Sequence, residues 1–309
     1  MKNKLNRRSF IKKSTAIGAT SIIGAGIFPN LLFGKEILET IDISVVKGEN
    51  YFENTLKAVE LLGGMKKFVS KDSKVGILIN SPWSKPGSYT NPDVALAVLK
   101  MCFNAGAKEI FSLESASKDY WYRSLLAEKF DDEINSIKGG GTKVNVEINK
   151  GVSLKEAQVA KALLDCDVFI NIPISKNHKG TNFTGTMKNM MGACASSTNR
   201  FFHNGSGKKG GYEDIEFLSQ CIADINLVRK PDLCVVDSTE FILTNGPAGP
   251  GEMKKPQKVI AGTDRVAVDA LCITIMGLQV EEIIMIKQAH DHGLGEMDLS
   301  KLIIKEVEI

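Results

Sequence analysis

Residues 170–192 read INIPISKNHKGTNFTGTMKNMMG. An apolar run ends there in a segment dense in Lys, Asn, His, Thr and Gly, after which the pattern predicts a helix. Val168, Phe169, Ile170 and Ile172 are β-branched or aromatic enough for a buried strand, and Pro173 stops it. The polar residues therefore follow the carboxyl end of a strand and precede the amino terminus of a helix. Open α/β sheets bind ligands at that place. Free backbone N–H groups and the helix dipole favour an anion there.

Outward from this segment, strand and helix alternate. Residues 74–80 (KVGILIN) read as a strand, and Asn91-Pro92 as a helix cap with Pro at the first helical position. Val94, Val98 and Cys102 with Ala95, Leu99 and Phe103 give that helix an apolar face, which Gly106 closes. A strand at 109–113 and a helix around 119–129 follow. Residues 131–149, with three consecutive glycines at 139–141, read as a surface excursion or short hairpin. Ser153 with Glu156 forms a capping box that predicts a helix to residue 164. Beyond the central segment the pattern gives a helix at 213–228, strands at 233–236 and 258–261, helices at 264–276 and 281–290, and a strand at 302–307. The expected fold is α/β, doubly wound, with a mostly parallel sheet and helices on both faces.

Within the central segment Thr184 and Lys188, four apart, are expected on one helix face. A Lys there neutralises a phosphate or carboxylate, or acts as a nucleophilic amine if desolvated. Lys176 and His178 fall in the turn before it, as an anion donor and a general acid or base. His203 lies in an aromatic turn ahead of a Gly/Lys-rich loop at 205–211, read as a lid over an anion. Asp237 ends a strand, where a carboxylate can orient a Lys or His, and a Gly/Pro loop at 246–251 follows it. Asp264 reads as a helix cap. The pair His290 and His292, without a third donor, is a weak metal signal.

The amino terminus concerns destination. Asn6-Arg7-Arg8-Ser9-Phe10-Ile11-Lys12-Lys13, followed by a mildly apolar stretch over 14–33, is similar to a twin-arginine export signal. It implies carriage of a folded protein to the periplasm by the twin-arginine export machinery, with residues 1–34 as signal and 35–309 as the α/β domain, whose two lobes, if present, would divide near 130–150. Left uncleaved, the same stretch would tether the protein to a membrane, since it approaches the roughly 20 residues a span requires. The 39 basic and 36 acidic residues give a net charge of +3; residues 1–34 hold six of the basic residues and no acid, so 33 against 36 leaves −3. The basicity belongs to the signal, and nothing remains to argue for nucleic acid.

The six cysteines, at 102, 166, 194, 221, 234 and 272, form no C-x-x-C. No iron–sulfur cluster is expected. Five lie in apolar elements as small core residues, and Cys194 lies two residues past Gly192.

Several motifs in order carry a resemblance. They are Asn171-x-Pro173-x-x-Lys176-x-His178, Phe183-Thr184-Gly185-x-x-Lys188-Asn189-x-x-Gly192, Val235-Val236-Asp237, the Gly246–Gly251 loop and the 261–270 segment AGTDRVAVDA. Together they resemble the domain-of-unknown-function 362 family over about residues 74–305. The chain has Leu78-Ile79-Asn80 where many relatives have Lys-Pro-Asn. The reading of these residues places a ligand- or cofactor-binding site at Lys176, Thr184, Gly185, Lys188 and Asn189, with His178, Lys188 and Asp237 as catalytic groups. More distantly the segment is similar to nickel-dependent lactate racemases, in which a His precedes a Lys by ten residues and another His follows. That similarity implies Lys188 as the anchor of a nickel pincer nucleotide, His203 as the metal ligand and His178 as the proton-transfer group. It departs from their pattern at Thr184-Gly185-Thr186, where two glycines are expected.

These readings favour an exported, cofactor-dependent enzyme, of isomerase, racemase or oxidoreductase type, on a small hydroxy acid or carboxylate. The alternative is a non-catalytic periplasmic binding protein for an anionic ligand or metal. Electron transfer has no visible cluster or haem ligands to support it.

Overall fold

The computed structural model describes residues 40–204 and 212–309. The segment read as an export signal and the Gly/Lys-rich loop read as a lid lie outside the described residues. The strands, in chain order, are β1 (Ile43–Lys47), β2 (Lys74–Ile79), β3 (Glu109–Ser112), β4 (Lys138–Gly139), β5 (Lys143–Glu147), β6 (Glu156–Ala160), β7 (Val168–Ile172), β8 (Lys176–His178), β9 (Asn182–Thr184), β10 (Leu233–Ser238), β11 (Phe241–Ile242), β12 (Met253–Lys254), β13 (Lys258–Gly262) and β14 (Ile304–Glu308). Eight of them make the main sheet, in the order β14-β1-β13-β10-β7-β2-β3-β4. Neighbours run parallel except at β13, which is antiparallel to both β1 and β10.

Period-two alternation sends apolar residues to both faces of this sheet. In β2, Val75, Ile77 and Ile79 pack under the helices Tyr51–Leu61 and Pro92–Ala105, together with Tyr120 and Trp121. Leu78 faces the other way. There it joins Phe169, Val236 and Ile260 beneath the helices Tyr212–Ile225, Arg265–Met276 and Ile284–Asp291. The expected α/β architecture with helices on both faces is what the structure has.

Local chemistry sets the helix ends. Asn91 caps Pro92–Ala105 by accepting from Asp93 N–H, and Gly106 closes it at φ 97°. Asp264 caps Arg265–Met276, accepting from Val266 and Ala267. The described chain also starts with a strand and helix, β1 and Tyr51–Leu61, that the reading from residue 74 onward did not include.

Two local expectations are corrected. The capping box at Ser153 opens no helix: 156–160 is β6, antiparallel to β5, with a short helix at Lys161–Asp165 after it. Ala157 and Val159 are buried while Glu156 and Gln158 are exposed, so the strand period prevailed. Ser153 and Leu154 instead donate their N–H groups to the buried Asp224 carboxylate, at 2.7 and 2.8 Å. The second correction concerns 176–184, read as a turn leading into a helix. It is a hairpin, β8 paired to β9 with Lys176 opposite Thr184, and the helix begins only at Thr186.

Strand order reverses direction at β2 and β7. The chain moves from β2 outward to β3 and β4, then places β7 on the other side of β2 and continues to β10. A crevice opens beyond the carboxyl ends of strands at such a switch.

Candidate active site

That crevice holds a cavity of about 180 Å³ whose lining includes Asn80, Trp83, Glu114, Lys176, His178, Thr184, Lys188, Asn189, Gly192 and His203. Each strand end contributes. Asn80 follows β2, Glu114 follows β3, and β7 leads through Pro173 into the hairpin. Because strand residues alternate, Lys176 and His178 share one face of β8, and Thr184 lies directly opposite Lys176. Lys188 comes from the short helix Thr186–Asn189, and His203 from the end of the helix Ser196–Asn204.

A buried amide network fixes the floor. Lys176, 1% exposed, donates to Asn80 Oδ1 at 3.1 Å and to the Ser88 carbonyl. Asn80 donates to Asn189 Oδ1 at 3.0 Å; Asn189 donates to Asn171 Oδ1 at 2.7 Å and Leu78 O at 3.0 Å; Asn171 donates to Thr186 O at 2.8 Å. Asn189 is therefore fully engaged in holding its neighbours. Two of the three Lys176 donors are likewise used, leaving one for a ligand.

The charges in the cavity are poorly compensated. Burial, then the Lys188 charge, hold the Lys176 ammonium down to about 7, against the pull of Glu114. Burial brings Lys188 down to about 8; among the described residues its hydrogen-bond contact is the Met191 thioether at 3.5 Å. Burial raises the Glu114 carboxyl to about 7, although Lys176 and Lys143 pull it down. His178 Nδ1 accepts the backbone N–H groups of Gly180 (3.1 Å) and Thr181 (3.2 Å), so the ring carries its proton on Nε2. Burial and the charges of Lys188, His203 and Lys176 push it down to about 2. His178 is thus a neutral N–H donor rather than a cation. Burial and Lys188 also lower His203. The Thr184 hydroxyl, 3% exposed, has no partner among the described residues.

Six expected residues thus meet in the cavity: Lys176, His178, Thr184, Lys188, Asn189 and His203. Two do not. Asp237 is a correction: β10 turns Cys234 and Val236 toward the Lys188 side of the sheet, and Leu233 and Val235 toward the other, so Asp237 falls on the opposite side from Lys188. Its carboxylate accepts from Asn91 N–H at 2.6 Å and from Thr239 N–H and Oγ1 at 2.9 and 2.6 Å. It anchors a helix cap. Gly185 is the second, since it stands behind the cavity wall. A side chain there would strike the Asp269 carboxylate and the Phe183 ring, and its bareness lets Asp269 accept Thr186 and Met187 N–H at 2.6 and 2.9 Å. His290 and His292 make no metal pair: His290 Nδ1 meets Gly295 O at 2.9 Å and His292 meets Gln220 at 3.1 Å.

Glu114, Asn80, Trp83 and Gly192 carry no role in the sequence reading. The signal for Glu114 was present, since it too follows a strand's carboxyl end. Gly192 is read only in tertiary context: a Cβ there would run into the Glu114 carboxylate.

The nickel pincer nucleotide implied by the racemase resemblance can be tested against these residues. Lys188 and His203 do share one cavity, but its volume is below the roughly 300 Å³ that encloses a ligand of nucleotide size. The cavity is too small for that group. The six cysteines are all buried and free.

Residues 75–274 match the family described as a domain of unknown function, DUF362. The chain belongs to that family. Among curated relatives, this DUF362 protein is 25% identical over 251 residues to the thylakoid-associated protein sll1697 of Synechocystis sp., covering 76% of this chain and 74% of that one. Among solved structures it is similar to the lactate racemase apoprotein of Thermoanaerobacterium thermosaccharolyticum, at 13% identity and TM-score 0.44 over 76% of this chain. A Thermotoga maritima protein aligns over 62% of this chain at 15% identity and TM-score 0.31. The DUF362 chain spans 57% and 51% of the length of those two proteins, respectively.

Proposed function

We propose that this DUF362 protein is an enzyme that moves a proton on a small hydroxy acid or other small carboxylate. The observation that carries the reading is the convergence of Lys176, Lys188, Glu114 and His178 in one small cavity at the switch point, with no ion pair among them. Lys176 supplies the charge for the carboxylate. His178 Nε2–H and the Thr184 hydroxyl supply neutral donors for the substrate's second oxygen. Glu114, raised to about 7, is the group suited to take and return a proton at neutral pH. The pattern is that of titratable neighbours whose environments set them to different tasks. Lys188 faces the same space and adds positive potential.

The test is direct. Purified protein is titrated with lactate, pyruvate and acetate by calorimetry, and α-proton exchange of each bound acid is followed by NMR in deuterated water. Binding that Lys176→Met removes, with exchange that Glu114→Gln removes, is the expected result. Binding without exchange for any small carboxylate would leave a receptor for anions, and no binding would remove the reading altogether.

The same proposal takes the domain to the periplasm by the twin-arginine machinery, on the support of the 6–13 motif and the charge carried by residues 1–34. An uncleaved signal would keep it at the membrane. No helix among the described residues is long and apolar enough to cross one.

A further inference from the structure

We infer that Lys188 is a carbonyl-trapping nucleophile, and that this site forms a Schiff base with a small 2-oxo acid. The inference rests on the carboxylate-site reading above and adds a covalent step to it. Its ground is the contrast between the two lysines of the cavity. Lys176 is tied down, with an amide oxygen and a backbone carbonyl as acceptors. Lys188 is not: within the described residues the one hydrogen-bond acceptor of its amine is a thioether sulfur, a weak acceptor that neither neutralises nor orients an ammonium. An amine that serves only as a cation is normally met by a carboxylate or a carbonyl. Here it is set beside a second lysine in a cavity of about 180 Å³. Burial with no charged partner lowers the proton affinity of that amine, so that an unprotonated, nucleophilic fraction is present near neutral pH.

The surrounding groups match what imine formation requires. Lys176 takes the carboxylate of the 2-oxo acid, the bound anion itself holding that amine in its charged form, and this brings the adjacent carbonyl carbon toward the other lysine. His178 Nε2–H, neutral and locked by two backbone amides, is a donor to the carbonyl oxygen. Glu114 handles the protons. In the first step the Lys188 lone pair forms the N–C bond while the C=O π pair moves to oxygen. Oxygen takes a proton from bulk water, and nitrogen gives one up to the Glu114 carboxylate. In the second step Glu114 returns that proton to the hydroxyl, the C–O bond breaks, and water leaves. The nitrogen lone pair then closes the C=N bond, giving a protonated imine on Lys188. One water is released and one proton is taken up from solvent, and no oxidant or reductant is consumed.

The experiment is reductive trapping. The full-length protein is incubated near pH 7 with pyruvate or glyoxylate and cyanoborohydride, and the intact mass and tryptic peptides are measured. The expected result is one adduct per chain, with the mass of the 2-oxo acid less water plus two hydrogens, on the peptide that contains Lys188. It should be absent in Lys188→Arg, which keeps the charge but not the free amine. Lys176→Met should slow trapping at least tenfold without moving the adduct elsewhere. Melting temperature and circular dichroism confirm that each variant is folded. An adduct spread over surface lysines, or one undiminished in Lys188→Arg, would overturn the inference. So would no adduct in protein that calorimetry shows to bind pyruvate. In that last case the carboxylate-site reading stands, whereas failure of lactate and pyruvate alike to bind removes both.

Discussion

A lysine held in a cavity with a thioether as its contact weakens the fold that holds it, and that gives Lys188 a measurable signature. Its folded-state value, about 8, lies below the ordinary 10.5. The unfolded chain therefore binds more protons between those two pH values, and ligand-free stability should rise with pH across that window. Lys188→Met should flatten that rise and stabilise the ligand-free protein at pH 7 by about 0.5–2 kcal/mol, read by denaturant titration. A destabilised Met variant would mean that the amine has a compensating partner. Glu114 works in the opposite sense: its value rises from 4.5 to about 7, so its contribution declines as pH rises through that interval. Ligand binding shows the lysines again. Carboxylate affinity should fall through pH 7 to 8, as Lys176 and Lys188 lose their protons, by about tenfold per pH unit for each proton taken up. Calorimetry in buffers of different ionisation enthalpy checks that uptake. Glu114→Gln should leave affinity intact while lowering α-proton exchange by about 10²–10⁴.

Among the elements, the hairpin β8–β9 and the helix after it decide what the site can be. The strand period aligns Lys176, His178 and Thr184 on one face, and Asp269 holds the first turn of the helix that carries Lys188. Two glycines separate support from chemistry. Gly185→Ala would press on Asp269 and Phe183, both buried, and should destabilise the protein by about 1–3 kcal/mol. Gly192→Ala meets the end of the Glu114 side chain instead. It should cost less than about 1 kcal/mol, because that side chain can turn away, yet remove proton exchange. Equal losses of stability in the two variants would contradict this division. The 153–164 segment carries a related lesson: Ser153 and Glu156 satisfy a helix-capping pattern, but the buried Asp224 carboxylate takes the Ser153 and Leu154 amides and β5 takes the strand. A local motif gave way to a carboxylate 70 positions from Leu154 and to a neighbouring strand.

For the whole molecule, the export proposal has its own test, independent of the pocket. Replacing Arg7 and Arg8 together by Lys should keep the protein in the cytoplasm with unchanged melting temperature, as judged by fractionation; normal arrival in the periplasm would refute it. Much of the fold was legible from the chain because its signals are local. Pro173 ends an apolar strand, Asn91-Pro92 starts a helix, Gly106 ends that helix in a left-handed conformation, and the alternation of strand and helix implies a doubly wound sheet. The same local rule, polar residues just past a strand's carboxyl end, found Lys176, His178, Thr184 and Lys188. It also gathered Asp237, because strand ends look alike in sequence whichever face their side chains take. Only the register and order of the sheet decided that Asp237 belongs to a helix cap on one side and Glu114 to the cavity on the other. Proton affinities were decided the same way. Burial, neighbouring charge and the direction of each hydrogen bond are properties of residues brought together across 100 positions of chain, and no spacing along it contains them.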